Sequence, residues 1–278
     1  MHPTILLDPR PKRKDHIWSY WDNGHDSLLV PRAFVKKRWK RWAIKTHHRS
    51  VFRTGENFQY VALSSSKYES HLVNAIKGAK GKIIRDTVIG ATKNNATNIL
   101  KLSTGRELVI ENVFDSRPPI VSDGALYQHF VGWTIQTNTP TFDDSTAILM
   151  DFRVSQEAGI HFIYLLPFSE TLALIESTVY STELLPTSWY ETQIKGYIKQ
   201  NFPGLGWELI NKEYGAIPLN NKFQQGPYGV PIGLNANAMR SSTGYAFSQI
   251  MRQVMDLIKN IDETTHTIKA KPGSTKLE

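Results

Sequence analysis

Runs of apolar residues in the middle of the chain predict a group of β-strands. Four of these runs follow one another, at residues 127–137, 146–153, 159–168 and 172–181. Short polar segments join them, and short connections favour antiparallel neighbours. We therefore expect a four-stranded antiparallel meander. An extended run at residues 207–219 adds a further strand.

Three segments carry apolar residues at the three- and four-residue spacing of a helix. The first begins at residues 66–69, whose Ser-x-x-Glu pattern is a capping box, and ends near Gly78. The second begins at a similar box at residues 188–191. The third runs from Ala246 to Ile261. Helices on both sides of a β-rich centre predict an α/β or α+β protein.

The N-terminal part of the chain contains shorter predicted strands. Residues 4–7 form a brief apolar run that ends at Asp8, and residues 82–90 form another. Residues 98–102 and 107–114 predict a hairpin around a Ser-Thr-Gly-Arg turn.

Composition narrows the class of protein. The chain has 278 residues, of which 40% are hydrophobic and 21% charged, as in one large or two small globular domains. It has no cysteine, which excludes disulfides, thiolate metal sites and a cysteine nucleophile, and which fits a reducing compartment such as the cytoplasm. The sequence predicts neither a membrane-spanning helix nor a signal peptide. The nine histidines lack metal-ligand spacing, so we expect no metal site.

Part of the net charge of +8 is concentrated in one stretch of the chain. Residues 36–49 contain seven Lys or Arg and no acid, with Trp39 and Trp42 among them. This pattern is typical of a solvated basic face, of contact with an anionic membrane surface, or of nucleic-acid binding. The last interpretation leaves the apolar strands unexplained, so we expect no nucleic-acid partner.

Glu176 is the acidic residue that the pattern singles out. It follows the most apolar part of the chain and, in a strand, shares a face with Leu174 and Thr178. On a buried face, loss of solvent would raise the pKa of its carboxyl and keep it protonated near neutral pH, as a proton donor requires. On an exposed face it would be an ordinary surface acid. Asp151 and Arg153 also share a strand face and predict either a functional acid or an ion pair.

The segment before the last predicted helix offers a possible anion site. Gly233 lies in a loop, and residues 242–245 lead into the helix. A loop that leads into a helix N-terminus presents free N–H groups to a phosphate or to an anionic ring. Alternatively, Ser242 or Thr243 caps the helix.

Six short segments have the order and spacing found in one enzyme family. They are residues 128–133 (QHFVGW), 149–153 (LMDFR), 162–169 (FIYLLPFS), 174–176 (LIE), 214–218 (YGAIP) and 242–247 (STGYAF). Together they resemble the FAD-dependent lycopene cyclases of bacterial carotenoid biosynthesis. The resemblance extends from about residue 5 to about residue 253.

The resemblance implies an FAD/NAD(P)-binding Rossmann-like flavoprotein fold with an antiparallel β-sheet region for the substrate. Residues 1–125 and 215–262 would form the FAD-binding part, residues 126–214 the substrate-binding sheet, and residues 263–278 a disordered tail. In such folds a glycine-rich turn lies roughly 20 residues before the acid that binds the ribose. Because this chain begins seven residues before Asp8, we expect it to lack the first strand and to be truncated at both ends.

The resemblance also implies roles for individual residues. Glu176 matches the carboxylate that the family uses in catalysis. The implied FAD-binding residues are Asp8, which would hold the adenosine ribose, Asp115, Gly233, Ser242, Thr243, Gly244 and Tyr245. The implied walls of the substrate pocket are Phe162, Tyr164, Leu166 and Trp133.

The implied reaction is cyclisation of the acyclic ends of lycopene to β-rings, an isomerase (intramolecular lyase) reaction that a proton initiates. It would need FAD in the reduced form, with NAD(P)H as the reductant, although no net electron transfer occurs. Because lycopene dissolves in membranes, the resemblance also implies a protein bound peripherally to a membrane through residues 36–49. A related flavin-dependent monooxygenase, or a non-catalytic lipid- or nucleic-acid-binding remnant, is the alternative.

Overall fold

The computed structural model describes residues 4–10, 14–94, 97–118, 121, 123–219 and 228–260. Its strands are β1 (Ile5–Leu7), β2 (Ile17–Asp22), β3 (Val35–Trp39), β4 (Arg41–Lys45), β5 (Ser50–Thr54), β6 (Gln59–Ser64), β7 (Lys82–Ile84), β8 (Val88–Asn94), β9 (Thr97–Leu102), β10 (Glu107–Ile110), β11 (Phe114–Asp115), β12 (Tyr127–Thr137), β13 (Thr146–Asp151), β14 (Ile160–Pro167), β15 (Leu172–Ser181), β16 (Trp207–Pro218) and β17 (Val230–Pro231). Its α-helices are α1 (Leu29–Arg32), α2 (Ser65–Gly78), α3 (Thr187–Asn201) and α4 (Phe247–Lys259), and short 3-10 helices span Asp26–Leu28 and Gly233–Ala236.

A seven-stranded sheet forms the centre of the described structure, in the order β16-β12-β15-β14-β13-β4-β5. Its neighbours run antiparallel, except that β13 and β4 are parallel. The five long strands predicted from apolar runs are all present, with ends close to those expected. The sheet also contains β4 and β5, which come from the segment that the sequence assigned to the FAD-binding part.

The predicted meander is correct only for β13, β14 and β15. β12 pairs with β15 and not with β13, which follows it in the chain. Residues 138–145 make the crossing, which is three strand spacings or roughly 14 Å. Backbone hydrogen bonds from Thr141 and Phe142 to the Glu170 carbonyl hold this connection against the β14–β15 turn. Phe142 is buried and packs edge-on against Phe202, so the core itself fixes the crossing.

The two faces of the central sheet bury different clusters. α3 covers one face, which we call the α3 face, and the three-stranded sheet β2-β6-β3 covers the other, which we call the inner face. Successive side chains of a strand point to opposite faces. In β14, Ile163 and Leu165 therefore lie on the α3 face, and Phe162, Tyr164 and Leu166 on the inner face. Because both faces are covered, the strand is apolar along its length.

Smaller sheets surround this centre. β1 is parallel to β7 and β11 is parallel to β17, whereas β8, β9 and β10 are antiparallel. The predicted hairpin is present as β9 and β10, but its second strand ends at Ile110. The predicted strand at residues 82–90 is divided between β7 and β8. α4 packs against β2, where Phe247 stacks on Tyr20 with 4.7 Å between the ring centroids.

The three predicted helices are present, but their beginnings differ from the expected ones. Ser64, at the end of β6, caps α2 by accepting a backbone N–H, so the cap lies before residues 66–69. α3 follows Pro186 and has no side-chain cap. α4 has none either, so the alternative in which Ser242 or Thr243 caps it is wrong.

Within the described ranges, no helix is both long enough and apolar enough to cross a membrane. The predicted tail, residues 263–278, lies outside the described residues, as do residues 220–227.

Candidate active site

Four residues form a row across the inner face of the central sheet. Glu213 of β16 pairs with Gly132 of β12, Gly132 pairs with Glu176 of β15, and Glu176 pairs with Tyr164 of β14. Directly opposed residues in antiparallel strands project from the same face. The row therefore places two carboxyl groups on either side of a glycine, with a tyrosine next to one of them.

Gly132 provides the space that the two acids occupy. A Cβ atom at this position would lie 3.1 Å from Glu213 Cγ, 3.5 Å from Glu176 Cβ and 3.0 Å from Leu174 Cδ1. The two acidic side chains therefore both border the space above the glycine backbone. A larger residue at position 132 would have to displace one of them.

Glu176 lies in the interior and has a neutral hydrogen-bond partner. Thr178 Oγ1 donates to Glu176 Oε1 at 2.8 Å. Burial raises the pKa of Glu176 to about 7, and the hydrogen bond from Thr178 opposes that shift only in part. The side chain keeps some accessible surface although protein surrounds it. A carboxyl with these properties can hold a proton near neutral pH and release it to a nearby base.

Three tyrosines surround Glu176 on the inner face. They are Tyr60, Tyr164 and Tyr245, and the negative charge of Glu176 raises the pKa of each, after the larger effect of burial. The hydroxyl of Tyr245 donates to that of Tyr60 at 3.5 Å. The acid thus lies among aromatic rings and hydroxyl groups.

Glu213 is a functional candidate that the sequence reasoning missed. It is 3% exposed, and its Oε2 accepts a hydrogen bond from the backbone N–H of Ile17 at 3.1 Å. Burial, followed by the negative charge of Glu176, raises the pKa of Glu213 to about 8. One signal was available, since an isolated glycine in a strand of large residues, here Gly132, indicates a close approach by a neighbour.

Three of the four residues predicted to line the substrate pocket lie together. Phe162, Tyr164 and Leu166 are buried in the inner-face cluster. Trp133 is instead on the α3 face, where its ring contacts that of Trp207. Trp133 follows Gly132 in β12, so its side chain points away from the inner face, on which the row through Gly132 lies. The prediction that Trp133 lines the same pocket does not agree with this position.

The segment before α4 reaches the same face through Tyr245. Gly244 has a φ of +68°, and a Cβ atom there would collide with the amide oxygen of Gln128, so a glycine is required. A cavity of about 320 Å³ opens between β2 and the start of α4, and Tyr20, Thr243 and Tyr245 are among the residues that line it. Tyr245 thus lies between this cavity and Glu176.

Comparison with known proteins assigns the family. The sequence profile described as "Lycopene cyclase protein" matches residues 3–275. The chain belongs to the lycopene cyclase family. It is 32% identical over 274 residues to the lycopene beta-cyclase of Paracoccus sp., covering 93% of this chain and 67% of that protein. It is 27% identical over 261 residues to that of Pantoea ananas, covering 87% of this chain and 63% of that protein. The chain thus spans about two thirds of the length of these two relatives.

Solved structures confirm the predicted fold class. A geranylgeranyl bacteriochlorophyll reductase-like protein from Thermoplasma acidophilum has a TM-score of 0.68 at 16% identity, covering 95% of this chain and 73% of that one. The flavin-dependent brominase Bmp2 has a TM-score of 0.65 at 9% identity, covering 97% and 75%. This member of the lycopene cyclase family therefore has a Rossmann-like flavoprotein fold with a largely antiparallel central sheet.

The remaining predicted cofactor residues of this lycopene cyclase family member lie in two further places. Asp8 follows β1, and its carboxylate is bound by Arg10 at 2.9 Å and Arg85 at 3.2 Å. Asp115 and Gly233 lie together at the parallel pair of β11 and β17, where the N–H next to Gly233, that of Ile232, donates to the Asp115 carbonyl at 2.9 Å. The structure thus brings Asp115 and Gly233 together and leaves Asp8 in a separate sheet.

Asp151 forms the ion pair that was one of its two interpretations. Its carboxylate is fully buried on the α3 face and accepts hydrogen bonds from Arg153 at 2.8 and 2.6 Å and from the Tyr197 hydroxyl at 3.0 Å. Burial acts to raise the pKa of Asp151, but these hydrogen bonds hold it below its ordinary value. This acid stays ionised and stabilises the packing of α3.

The basic stretch at residues 36–49 is largely part of the sheets. Trp39 is fully buried and its indole N–H donates to the Pro167 carbonyl at 3.1 Å. Lys37 pairs with Asp144 at 2.6 Å and Arg38 pairs with Asp22 at 2.9 Å. Lys40 also pairs, with Glu56 at 2.9 Å, so three of the seven cations form ion pairs with acids in the described structure.

Proposed function

We propose that the chain acts as a lycopene cyclase, in which Glu176 is the acid that protonates the substrate. The observation that carries this proposal is a carboxyl with a pKa raised to about 7, lying among aromatic side chains. Membership of the lycopene cyclase family supports the substrate class. Because the chain spans about two thirds of its curated relatives, the activity of the complete protein is part of the proposal.

The proposed reaction begins when the Glu176 carboxyl delivers its proton to C2 of an acyclic end of lycopene. A tertiary cation forms at C1, the 5,6 double bond attacks it, and the ring closes. Loss of one ring proton then leaves the β-ring, so no atom or electron is gained overall. Tyr164 and Phe162 are buried beside Glu176 and would exclude water from the cation. Aromatic faces also attract a positive charge.

The residues around Tyr245 fit a polar cofactor such as FAD. The Tyr20 hydroxyl and the Thr243 Oγ1 atom are buried without a hydrogen-bond partner in the part of the chain that the structure describes. Both residues line the cavity at the start of α4. We propose that Thr243, with Ser242, Gly244 and Tyr245, holds the flavin ring there. When bound in its reduced form, the cofactor would supply negative charge beside the cation.

We propose that Asp115 and Gly233 hold a further part of FAD, and that Asp8 holds the ribose. A Cβ atom on Gly233 would meet no other atom within 4 Å, so a ligand has room to approach its backbone. NAD(P)H is the proposed reductant.

Membrane contact is a further part of the proposal, because lycopene dissolves in lipid. Leu29 and Val30 of α1 are 68% and 49% exposed. They are a stronger candidate for this contact than residues 36–49, since exposed apolar side chains can enter the interface. Replacement of both by Ser should weaken co-flotation with liposomes. Unchanged flotation would exclude α1 as the contact.

The role of Glu176 is tested by its replacement with Gln, which keeps the shape of the side chain and removes its acidic proton. Purified protein is supplied with reduced FAD and with lycopene in liposomes, and β-carotene is measured by chromatography. We expect Glu176→Gln to lower the rate about 100-fold or more, the usual contribution of a general acid. Glu170→Gln, at an exposed position in the β14–β15 turn, is the matched control and should retain activity. Cyclisation by Glu176→Gln at the unmodified rate would refute the role, and NADPH consumption with an oxygenated product would favour a monooxygenase.

A further inference from the structure

We propose that Glu213 works with Glu176 as a proton-sharing pair over Gly132, in which Glu213 returns a proton to Glu176 after each donation to the substrate. This inference rests on the proposed function. Glu213 is then a positioning residue for the proton, since it acts through Glu176 and does not touch the reacting carbon.

The pairing of three strands places the two acids near each other. Glu213 and Glu176 are paired with the same residue, Gly132, from its two sides. Their Cα atoms are thus two strand spacings apart, roughly 10 Å. Both side chains border the space above Gly132, where a Cβ atom would be 3.1 Å from one and 3.5 Å from the other. The Leu174 Cδ1 atom borders the same space, 3.0 Å from that Cβ position.

Neither acid has the partner that a buried carboxylate normally needs. Among the residues that the structure describes, neither Glu213 nor Glu176 takes part in an ion pair. A buried charge without a partner is unfavourable, so two adjacent buried carboxyls retain protons. Glu213 is held by the Ile17 N–H, which accommodates a protonated or an ionised acid.

The other charged and titratable groups near the pair leave its proton on the two acids. Asp15, before β2, acts to raise the pKa of Glu213, and Lys36 of β3 acts to lower it. Tyr60 of β6, Tyr164 of β14 and Tyr245 before α4 face Glu176, and their own pKa values are raised, so they stay neutral. The pair thus retains its proton beside neutral hydroxyl groups.

The proton balance of the proposed reaction closes through this pair. Glu176 gives its proton to C2, where a C–H bond forms. The Glu213 proton then moves to Glu176. The ring C–H bond breaks, its electron pair forms the ring double bond, and Glu176 accepts its proton while passing the proton it carries back to Glu213. The enzyme is restored without an external acid or base.

The coupling is testable without any cyclase activity. Dicyclohexylcarbodiimide reacts with protonated carboxyls in apolar surroundings, and labelled peptides can be quantified by mass spectrometry across pH 6–9. If the acids share a proton, Glu176→Gln should lower the pH midpoint for labelling of Glu213 by about 1 unit, the coupling at which two sites titrate as a pair. Glu170→Gln should leave that midpoint unchanged. An unchanged midpoint in Glu176→Gln would overturn the proposal.

Kinetics separate this inference from the proposed function. Glu213→Gln retains the shape of the side chain and an acceptor for the Ile17 N–H. We expect this variant to lower kcat for β-carotene formation about 10-fold or more and to leave KM unchanged. Its pH–rate profile should also lose one of its two limbs. Gly132→Ala should act in the same direction by moving the acids. A fully active Glu213→Gln with an inactive Glu176→Gln would overturn the pair and keep the cyclase. Coupled labelling without any cyclisation would keep the pair and overturn the cyclase.

Discussion

Two buried acids on opposite faces of one sheet have opposite ionisation behaviour. Asp151, on the α3 face, accepts two hydrogen bonds from Arg153, and its pKa is held below the ordinary value. Glu176, on the inner face, has a threonine hydroxyl as its partner, and its pKa is raised to about 7. Burial opposes ionisation at both sites, so the residue two positions further along the chain decides whether the pKa is lowered or raised.

The same contrast recurs elsewhere in the molecule. Asp115 is followed two residues later by Arg117, which binds its carboxylate at 2.9 and 2.7 Å. Glu213 is followed two residues later by Gly215 and lacks such a cation. An acid with an arginine two residues later is kept ionised by it, whereas a buried acid without such a cation has a raised pKa.

Replacement of Arg153, the cation that binds Asp151 on the α3 face, should lower the stability of the protein more than the other changes described below. Arg153→Gln leaves Asp151 buried and ionised without its partner. We expect the free energy of unfolding to fall by about 3 kcal/mol, the lower end of the range for such a loss, because Arg153 is itself partly exposed. Urea denaturation measures the change, and Arg49→Gln, at an exposed position, is the control. A change below about 0.5 kcal/mol would mean that the ion pair does not stabilise this face.

The inner face should make stability depend on pH in the opposite sense to an ion-paired acid. Glu176 and Glu213 have pKa values of about 7 and 8 in place of 4.5, so the folded protein retains protons that the unfolded chain has released. The stability that these two acids contribute is therefore fully present below about pH 4.5, and it is lost as the pH rises through 7 and 8. The slope approaches roughly 1.4 kcal/mol per pH unit for each acid.

Urea denaturation between pH 5 and pH 8 measures this slope. The double variant Glu176→Gln/Glu213→Gln should be markedly less sensitive to pH, whereas Glu170→Gln should behave as the unmodified protein does. Equal slopes in all three proteins would show that the two acids are not the source.

The smallest expected effect concerns the hydroxyl beside Glu176. Thr178→Val keeps the branched shape and removes the donor to Glu176 Oε1. That hydrogen bond favours the ionised acid, so its loss should raise the pKa of Glu176 further, by less than about one unit. Carbodiimide labelling of Glu176 should shift to higher pH, and Thr192→Val on the exposed side of α3 should not shift it. A shift to lower pH would contradict the assigned hydrogen bond.

Sequence reasoning predicted the long strands and singled out Glu176 as a candidate acid, because apolar runs and face alternation are local patterns. Pairing between strands is not local, which is why the predicted order of β12 in the sheet was wrong and why the sequence did not show that Trp133 lies on the α3 face. Glu213 was missed because β16 is an edge strand in which half of the residues are exposed and Glu213 alone is buried. Its burial comes from packing with β2, whose Ile17 lies 196 residues away in the chain. Such long-range packing leaves no mark in the surrounding sequence.

The parallel pairing of β4 with β13 has a consequence for how the molecule assembles. Arg41 and Thr146, which are paired across these strands, are 105 residues apart. Contacts of such long range form slowly, because a large loop must close first. Until β4 arrives, the backbone groups along the free side of β13 are a template on which another chain can add. We therefore expect β4 and β5 to dock late when the whole chain refolds, and conditions that delay their docking should favour self-association of refolding chains.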